Sequence, residues 1–182
     1  MIFLTVGSEL PFDRLVKVAD EWSARHPENR VFGQINDPGP TGYRPSHFEW
    51  CTFLTPEDYT THFDRADMII SHAGMGSIIN ALSMAKPILV MPRLAQYREH
   101  RNDHQLATAT KFRNRAGVFV APDESTFPAV LDKALTKGTD EATKQGVGQF
   151  ADPELVNTLR EFIFEGKKSR QHLSDENTVL ER

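Results

Sequence analysis

The sequence is short of the features that would place it in several common classes of protein. It has one cysteine, Cys51, in 182 residues, which excludes an internal disulfide and a cysteine-rich metal framework and fits a reducing compartment. No stretch approaches the roughly 20 apolar residues that span a bilayer. The apolar opening, residues 2–6, lacks a basic flank, so we predict no signal peptide. The net charge of −4 leaves no basic excess, so nucleic acid is not an expected partner.

What the sequence does contain fits one globular domain. Its hydrophobic fraction of 39% and charged fraction of 25% are typical of folded proteins. At roughly 150 residues per domain, the length predicts a single domain. We assign residues 1–165 to one domain of the α/β class and residues 166–182 to a charged, flexible tail.

Short continuous apolar runs alternate along this domain with segments of helical periodicity. The predicted strands are 2–6, 31–35, 48–54, 68–70, 87–91 and 117–121. The predicted helices are 11–22, 56–66, 76–85, 102–113, 125–135 and 152–164, with a loop or weak helix over 137–148. Continuous rather than alternating apolar strands are typical of a parallel sheet buried on both faces. The sequence therefore predicts a parallel sheet with helices on both faces.

Three segments are predicted to meet at the carboxyl edge of this sheet, where open α/β sheets bind their ligands. They are Gly7-Ser8 after the first strand, residues 71–77 after the fourth and residues 93–104 after the fifth. In the middle segment, Gly74 and Gly76 let the backbone approach a ligand, and the next helix presents free N–H groups with a partial positive charge. This pattern predicts a phosphate site, although glycines needed only for a tight turn would show the same spacing.

Several motifs of this chain occur together in a known family. They are ADMIISHAGMGS at 66–77, KPILVMPR at 86–93 and EHRNDHQLA at 99–107, with the opening IFLTVGS at 2–8. The combination resembles the donor-binding half of GT-B glycosyltransferases with a family 28 C-terminal domain, over about residues 1–135. It is most similar to short, free-standing catalytic subunits. These include the subunit of the enzyme that makes dolichol-linked chitobiose, and bacterial exopolysaccharide glucuronosyl- and galactosyltransferase subunits.

The resemblance implies a substrate site, residue by residue. In this superfamily a His-x-Gly-x-x-Ser turn holds the donor diphosphate, which maps onto His72, Gly74 and Ser77, with backbone N–H groups at 75–77 as donors. Such donors stabilise the charge that develops on a UDP leaving group. Many relatives hold the ribose with an acid where this chain has Asn80, which can still form hydrogen bonds but lacks the charge. The full set of predicted substrate-binding residues is Gly7, Ser8, His72, Gly74, Met75, Gly76, Ser77, Asn80, Arg93, Asp103, His104 and Gln105.

The donor sugar is expected at the third segment. Relatives place an acid-Gln or Gln-Gln pair against the sugar hydroxyls there, and Gln105 is the best match, with Asp103 and His104 beside it. The segment also carries three arginines, Arg93, Arg98 and Arg101. They would face the diphosphate or the carboxylate of a uronic acid, the alternative being solvated loop arginines.

A metal site and a hydrolase triad are weaker interpretations of these residues. His100 and His104 are four residues apart with Asp103 nearby, a spacing that can place two ligands on one helix face. No third ligand or HExxH pattern accompanies them, and Ser77 lacks a Gly-x-Ser-x-Gly elbow. We therefore predict no metal and no cofactor.

The resemblance implies the catalytic, donor-binding subunit of a two-component, inverting glycosyltransferase that uses a UDP-sugar. One Rossmann-like domain provides half of a GT-B cleft, so a membrane-associated, acceptor-binding subunit is the expected partner. The acceptor would be a polyprenyl-diphosphate-linked saccharide in exopolysaccharide or lipid-linked oligosaccharide synthesis. The transferred sugar stays open between glucuronate, galactose and N-acetylglucosamine. The expected location is cytoplasmic, peripheral at the inner face of the membrane through that partner. No residue is assigned as the general base, which this arrangement allows to lie on the partner.

Two other functions stay open at this point. Strand-Gly-x-Gly-helix turns also occur in dinucleotide-binding modules of oxidoreductases, but here the third glycine is missing and the turn follows the fourth strand. A non-catalytic regulatory subunit would keep the fold without turnover. The intact His72, Gly74 and Ser77 favour an active site instead.

Overall fold

The computed structural model describes residues 1–138, which form six strands and five α-helices. The strands are β1 (Ile2–Thr5), β2 (Val31–Gln34), β3 (Glu49–Cys51), β4 (Met68–His72), β5 (Ile88–Met91) and β6 (Val118–Val120). The helices are α1 (Asp13–Arg25), α2 (Pro56–Arg65), α3 (Met75–Ser83), α4 (His104–Phe112) and α5 (Phe127–Gly138), with a 3₁₀ turn at Ala95–Tyr97. The predicted helix over 152–164, the boundary at 165 and the tail over 166–182 lie outside the described residues.

All six strands pair in parallel in one sheet, in the order β3-β2-β1-β4-β5-β6. The predicted parallel sheet is therefore confirmed. The order of strands reverses direction between β1 and β4, and a crevice opens at the carboxyl ends of the strands at such a switch point. None of the helices within residues 1–138 combines the length and the apolar character needed to traverse a bilayer.

The centre of the sheet is buried on both faces. On one face, Leu4 of β1 belongs to the core cluster formed with Leu15 of α1 and Leu131 of α5. On the other face, the Phe3 ring contacts the rings of Tyr59 and Phe63 of α2, at 5.5 and 6.2 Å between centroids. Burial on both faces explains why β1 is an uninterrupted apolar run.

Register brings three of the predicted site segments side by side. Thr5 at the end of β1 lies opposite Ser71 of β4, and His72 lies opposite Met91 of β5. Because parallel strands end at the same edge, Gly7, His72 and Arg93 emerge next to one another there.

Three element boundaries differ from the sequence prediction. β4 continues two residues past 70, through His72, because the strand still pairs with Met91. β3 is three residues long rather than the predicted 48–54, because this strand leaves β2, its partner among the described strands, after Asn36 N donates to Thr52 O at 3.0 Å. The chain then turns into α2, whose first turn is capped by Thr55. α5 extends to Gly138, so the predicted loop does not begin at 137.

Candidate functional site

A cleft of about 630 Å³ opens at the carboxyl edge of the sheet. Eleven of the twelve residues predicted to bind substrate line it, the exception being Asp103. The Asp103 carboxylate instead accepts a hydrogen bond from Ala95 N at 2.7 Å, which ties the 3₁₀ turn to the residue before α4. This hydrogen bond holds the loop, and the place of Asp103 beside the sugar stays a prediction.

The His72 imidazole is seated between two glycines. A Cβ at Gly74 would lie 2.1 Å from His72 Nε2, and a Cβ at Gly7 would lie 2.8 Å from its Cε1. Gly7 also has a φ of +83°, which side-chain-bearing residues rarely adopt. Gly74 thus makes room for the histidine ring rather than for a ligand, which refines the sequence interpretation of this glycine.

Gly76 has the open surroundings that a close ligand requires. A Cβ built there would meet no heavy atom within 4 Å among the described residues. Gly74 precedes the first turn of α3, and within residues 1–138 no side chain caps that turn. The first N–H groups of a helix have no intrahelical acceptor and carry partial positive charge. The start of α3 therefore presents a ready site for an anionic group.

Ser77, in the first turn of α3, contacts Tyr59 of α2. Ser77 is 8% exposed and lines the cleft beside Tyr59. Burial raises the pKa of the Tyr59 phenol, and side-chain hydrogen bonds with Thr5 and Ser77 oppose that shift. The Ser77 hydroxyl is therefore positioned by Tyr59, a residue that the sequence did not identify.

The electrostatics of the cleft keep His72 neutral. Burial lowers the pKa of the imidazole to about 4, helped by the positive charge of Arg93 and by His100 and His104. Ser71 Oγ lies 3.3 Å from Nδ1. When this hydroxyl donates to Nδ1, the neutral ring carries its proton on Nε2, which then acts as a hydrogen-bond donor.

This shift predicts a pH dependence of folding. In the unfolded chain His72 has a pKa near 6.5, so the unfolded state binds a proton first as the pH falls below that value. Stability is therefore full above about pH 6.5 and decreases until about pH 4, by about 3 kcal/mol for this residue. Urea unfolding of wild type and His72→Gln across this range should show the smaller decrease in the variant. Equal slopes for wild type and His72→Gln would contradict the prediction.

Arg93 and Gln105 both line the cleft, and both form side-chain hydrogen bonds with the main chain. Arg93 is 3% exposed, and its guanidinium donates to the carbonyls of Val6, Leu10 and Pro11 at 2.8, 2.6 and 2.7 Å. Gln105, also 3% exposed, accepts from Arg93 N at 3.1 Å through Oε1, which leaves its Nε2 for a ligand.

The three arginines predicted at this edge therefore divide into two kinds. The interpretation of Arg93 as a solvated loop arginine is wrong, because buried carbonyls attract it inward. Arg98 and Arg101 are exposed and lie outside the cleft lining.

His100 and His104 form one wall of the cleft. Their rings meet edge to face, with centroids 4.4 Å apart. His100 Nδ1 is buried and has no hydrogen-bond partner among the described residues. Residues 1–138 contain no group of three His, Cys, Asp or Glu side chains arranged to hold a metal ion.

Several cleft residues escaped the sequence analysis. Phe53, 59% exposed, lies on the loop between β3 and α2 and lines the cleft. Gln34 ends β2, where its Nε2 donates to Gly7 O at 3.1 Å and its Oε1 accepts from Thr5 Oγ1 at 2.8 Å. Glu9 adds a carboxylate to the lining. The available signal was position, since Gln34 and Phe53 each end or follow a strand at the carboxyl edge.

Comparison with known proteins adds the family. Residues 1–152 match the glycosyltransferase family 28 C-terminal domain. Over 76 residues the chain is 33% identical to the UDP-N-acetylglucosamine transferase subunit ALG13 of Debaryomyces hansenii, a match covering 40% of this chain and 36% of that protein. The chain spans about a third of the length of the curated relatives it matches.

Solved structures agree on the fold. The crystal structure of the kitacinnamycin glycotransferase superposes with a TM-score of 0.58 at 25% identity, over 79% of this chain and 36% of that chain. An NMR solution structure of ALG13 superposes with a TM-score of 0.53 at 21% identity, over 75% of this chain and 86% of that chain.

Proposed function

The chain belongs to the glycosyltransferase family defined by the family 28 C-terminal domain, and from this premise we propose that it is the donor-binding, catalytic subunit of an inverting, UDP-sugar-dependent glycosyltransferase. The observation that carries the proposal is the position of the His72 ring. The neutral imidazole lies between Gly7 and Gly74, beside the start of α3, which no side chain caps within residues 1–138. A diphosphate fits this arrangement, because it accepts hydrogen bonds from Nε2 and from the N–H groups of the first helical turn.

A diphosphate bound at this site would also favour cleavage of the bond between the sugar and UDP. Negative charge builds on the leaving UDP as the glycosidic bond breaks, and preorganised donors stabilise that charge. The donors at the start of α3 belong to a rigid element anchored on the central strand β4. They need no reorganisation when the charge develops.

We assign the nucleoside to the part of the cleft lined by Phe53 and Asn80. The exposed ring of Phe53 offers a stacking surface for uracil, since an aromatic side chain and a base stack through their faces. Asn80, one turn into α3, lines the cleft and is the proposed partner of the ribose hydroxyls.

An uncharged donor sugar fits the cleft better than a uronic acid. The N–H donors of the Arg93 guanidinium are engaged by carbonyls, so they cannot form the bidentate pair that a uronate carboxylate would accept. Arg98 and Arg101 lie outside the lining, and Glu9 contributes a negative charge. A hexuronate would bring a further carboxylate to this surface. Two matching relatives are named as UDP-N-acetylglucosamine transferase subunits. We therefore propose a neutral hexose or N-acetylhexosamine as the transferred sugar.

The experiment that tests the diphosphate assignment is His72→Ala. We expect UDP binding to weaken by about 1.5–3 kcal/mol, the usual value for a hydrogen bond to a charged group. Titration calorimetry with UDP, uridine and NAD distinguishes the alternatives. Uridine affinity should be unchanged, since it lacks the diphosphate. A folded variant with wild-type UDP affinity would refute the assignment, and a wild-type chain that binds NAD in preference to UDP would favour the oxidoreductase alternative.

Gln105 is predicted to recognise the sugar rather than UDP. Gln105→Ala removes Nε2, so affinity for the complete UDP-sugar should fall by about 1 kcal/mol, while UDP affinity changes little. The exposed Gln96, on the 3₁₀ turn that precedes α4, provides the matched control Gln96→Ala, which should affect neither ligand. Equal losses for UDP and UDP-sugar would mean that Gln105 acts only by supporting Arg93 N.

The acceptor side of the reaction is assigned to a second subunit. Four large apolar side chains are exposed among residues 1–138, namely Leu10, Phe53, Tyr97 and Leu106. Leu10 and Phe53 line the cleft, and Tyr97 and Leu106 lie on the segment that follows the carboxyl end of β5. We propose that a membrane-associated, acceptor-binding subunit covers this edge. It would present a polyprenyl-diphosphate-linked saccharide of exopolysaccharide or lipid-linked oligosaccharide synthesis, and hold this chain at the cytoplasmic face of the membrane.

A further inference from the structure

Arg93 joins two loops that both contribute to the cleft lining. It stands two residues after β5, and three of the four carbonyls that its guanidinium contacts belong to residues 6–11, between β1 and α1. The fourth is Glu99 O, at 3.5 Å. That loop carries Gly7 and Ser8, and the Gly7 backbone touches the seat of His72. Residues separated by more than 80 positions are therefore fixed by one side chain.

Among the described residues no carboxylate forms an ion pair with Arg93, although the negative charges of Glu99 and Glu9 oppose the lowering of its pKa. The Glu99 carboxylate is bound to Arg14, with Nε to Oε1 and Nη2 to Oε2 both at 2.9 Å. Burial lowers the pKa of Arg93 to about 10, which leaves the group cationic at neutral pH. The guanidinium also lies 4.6 Å from the centre of the Phe12 ring. A buried cation held by carbonyl dipoles and an aromatic face keeps its net positive charge.

This charge acts on the same space as the start of α3. Arg93 and His72 both line the cleft, and the positive charge of Arg93 contributes to the lowered pKa of His72. Charges act more strongly across a partly buried cleft than through bulk water. The potential from Arg93 therefore adds to that of the helix N-terminus where an anion would sit.

We propose that Arg93 is a positioning residue for the diphosphate subsite, fixing the loop of Gly7 and Ser8 and supplying positive potential while its own Nη donors stay on the main chain. This inference rests on the proposed function, because it takes UDP as the ligand. It assigns Arg93 two separable roles, a mechanical one and an electrostatic one.

Two variants separate the roles. Arg93→Lys keeps the positive charge but lacks the planar guanidinium that reaches the three carbonyls of residues 6–11. Arg93→Met removes the charge and the guanidinium. Arg101→Met, an exposed arginine outside the cleft lining, is the matched control. UDP and uridine affinities are measured by calorimetry, the pKa of His72 by NMR titration, and the loop by the amide resonances of Gly7 and Ser8.

We expect Arg93→Met to weaken UDP binding by about tenfold or more and uridine binding by less than about twofold, with a raised pKa of His72. Arg93→Lys should shift the amide resonances of Gly7 and Ser8 but retain the wild-type pKa of His72 and lose less UDP affinity. Arg101→Met should match wild type.

UDP affinity in Arg93→Met within about twofold of wild type would overturn the inference. If Arg93→Met does not fold, Arg93→Lys decides. Unshifted amide resonances of Gly7 and Ser8 would overturn the mechanical role, and a raised pKa of His72 in that variant would overturn the electrostatic one. A wild-type chain that fails to bind UDP would instead refute the proposed function, which makes the two failures distinguishable.

Discussion

Replacing Gly74 by alanine should destabilise the protein and remove most of its affinity for UDP. The new Cβ would lie 2.1 Å from His72 Nε2, so the ring must leave its seat between the glycines. The φ of Gly74 is −83°, within the range of any residue, so the effect is steric and not a backbone strain. Overpacking of this kind costs about 1–3 kcal/mol. Urea unfolding measures the loss of stability, and NMR of the His72 ring reports its displacement.

Gly76→Ala is the matched control, two residues along the same turn. Its Cβ has open space around it, and alanine is the better helix former, so stability should stay equal or rise slightly. UDP affinity should nevertheless fall, because the new methyl group occupies the space proposed for the diphosphate. Equal stability losses in Gly74→Ala and Gly76→Ala would contradict the seat described for His72.

Sugar transfer should be undetectable with the purified chain and appear when a membrane-anchored, acceptor-binding subunit is co-expressed. Catalysis requires donor and acceptor held in a near-attack geometry, and one Rossmann-like domain provides one wall of that site. The measurement is transfer of radiolabelled sugar to a polyprenyl-diphosphate-linked acceptor, with binding of the donor followed in parallel. The chain alone should bind UDP-sugar without turnover.

The control for this experiment is the complex that contains His72→Ala. It should assemble like wild type, because His72 lies inside the donor cleft, but transfer should be lost. Robust transfer to a soluble lipid-diphosphate acceptor by the chain alone would overturn the two-component proposal.

The sheet and the glycine-containing turn at 74–77 could be predicted from the sequence because both depend on local patterns. Strands buried on both faces are continuous apolar runs, as in residues 68–70 and 87–91, and the glycines around 74 mark a turn directly. Each of these patterns is contained within a few consecutive residues. It can therefore be recognised without knowing which strands become neighbours.

Contacts between distant residues could not be read in the same way. The partners of Arg93 are backbone carbonyls, which have no side-chain signature, and the role of Gly74 depends on where the His72 ring points. Asp103 lies within the motif at 99–107, and nothing in that motif signals its hydrogen bond with a main-chain N–H eight residues earlier. Phe53 was placed inside the predicted strand 48–54, so the sequence did not distinguish it from the strand residues.

The hydrogen bond from Arg93 to Val6 O joins residues 87 positions apart, and this separation determines when the cleft can form during translation. At ordinary elongation rates of about 5–20 residues per second, a growing chain waits roughly 4–17 seconds between these two positions. For most of that interval β4 has not been translated, and the guanidinium that holds the loop after β1 is added only at the end of the interval. The loop of residues 6–11 therefore acquires its contacts with Arg93 only after β5 has been translated.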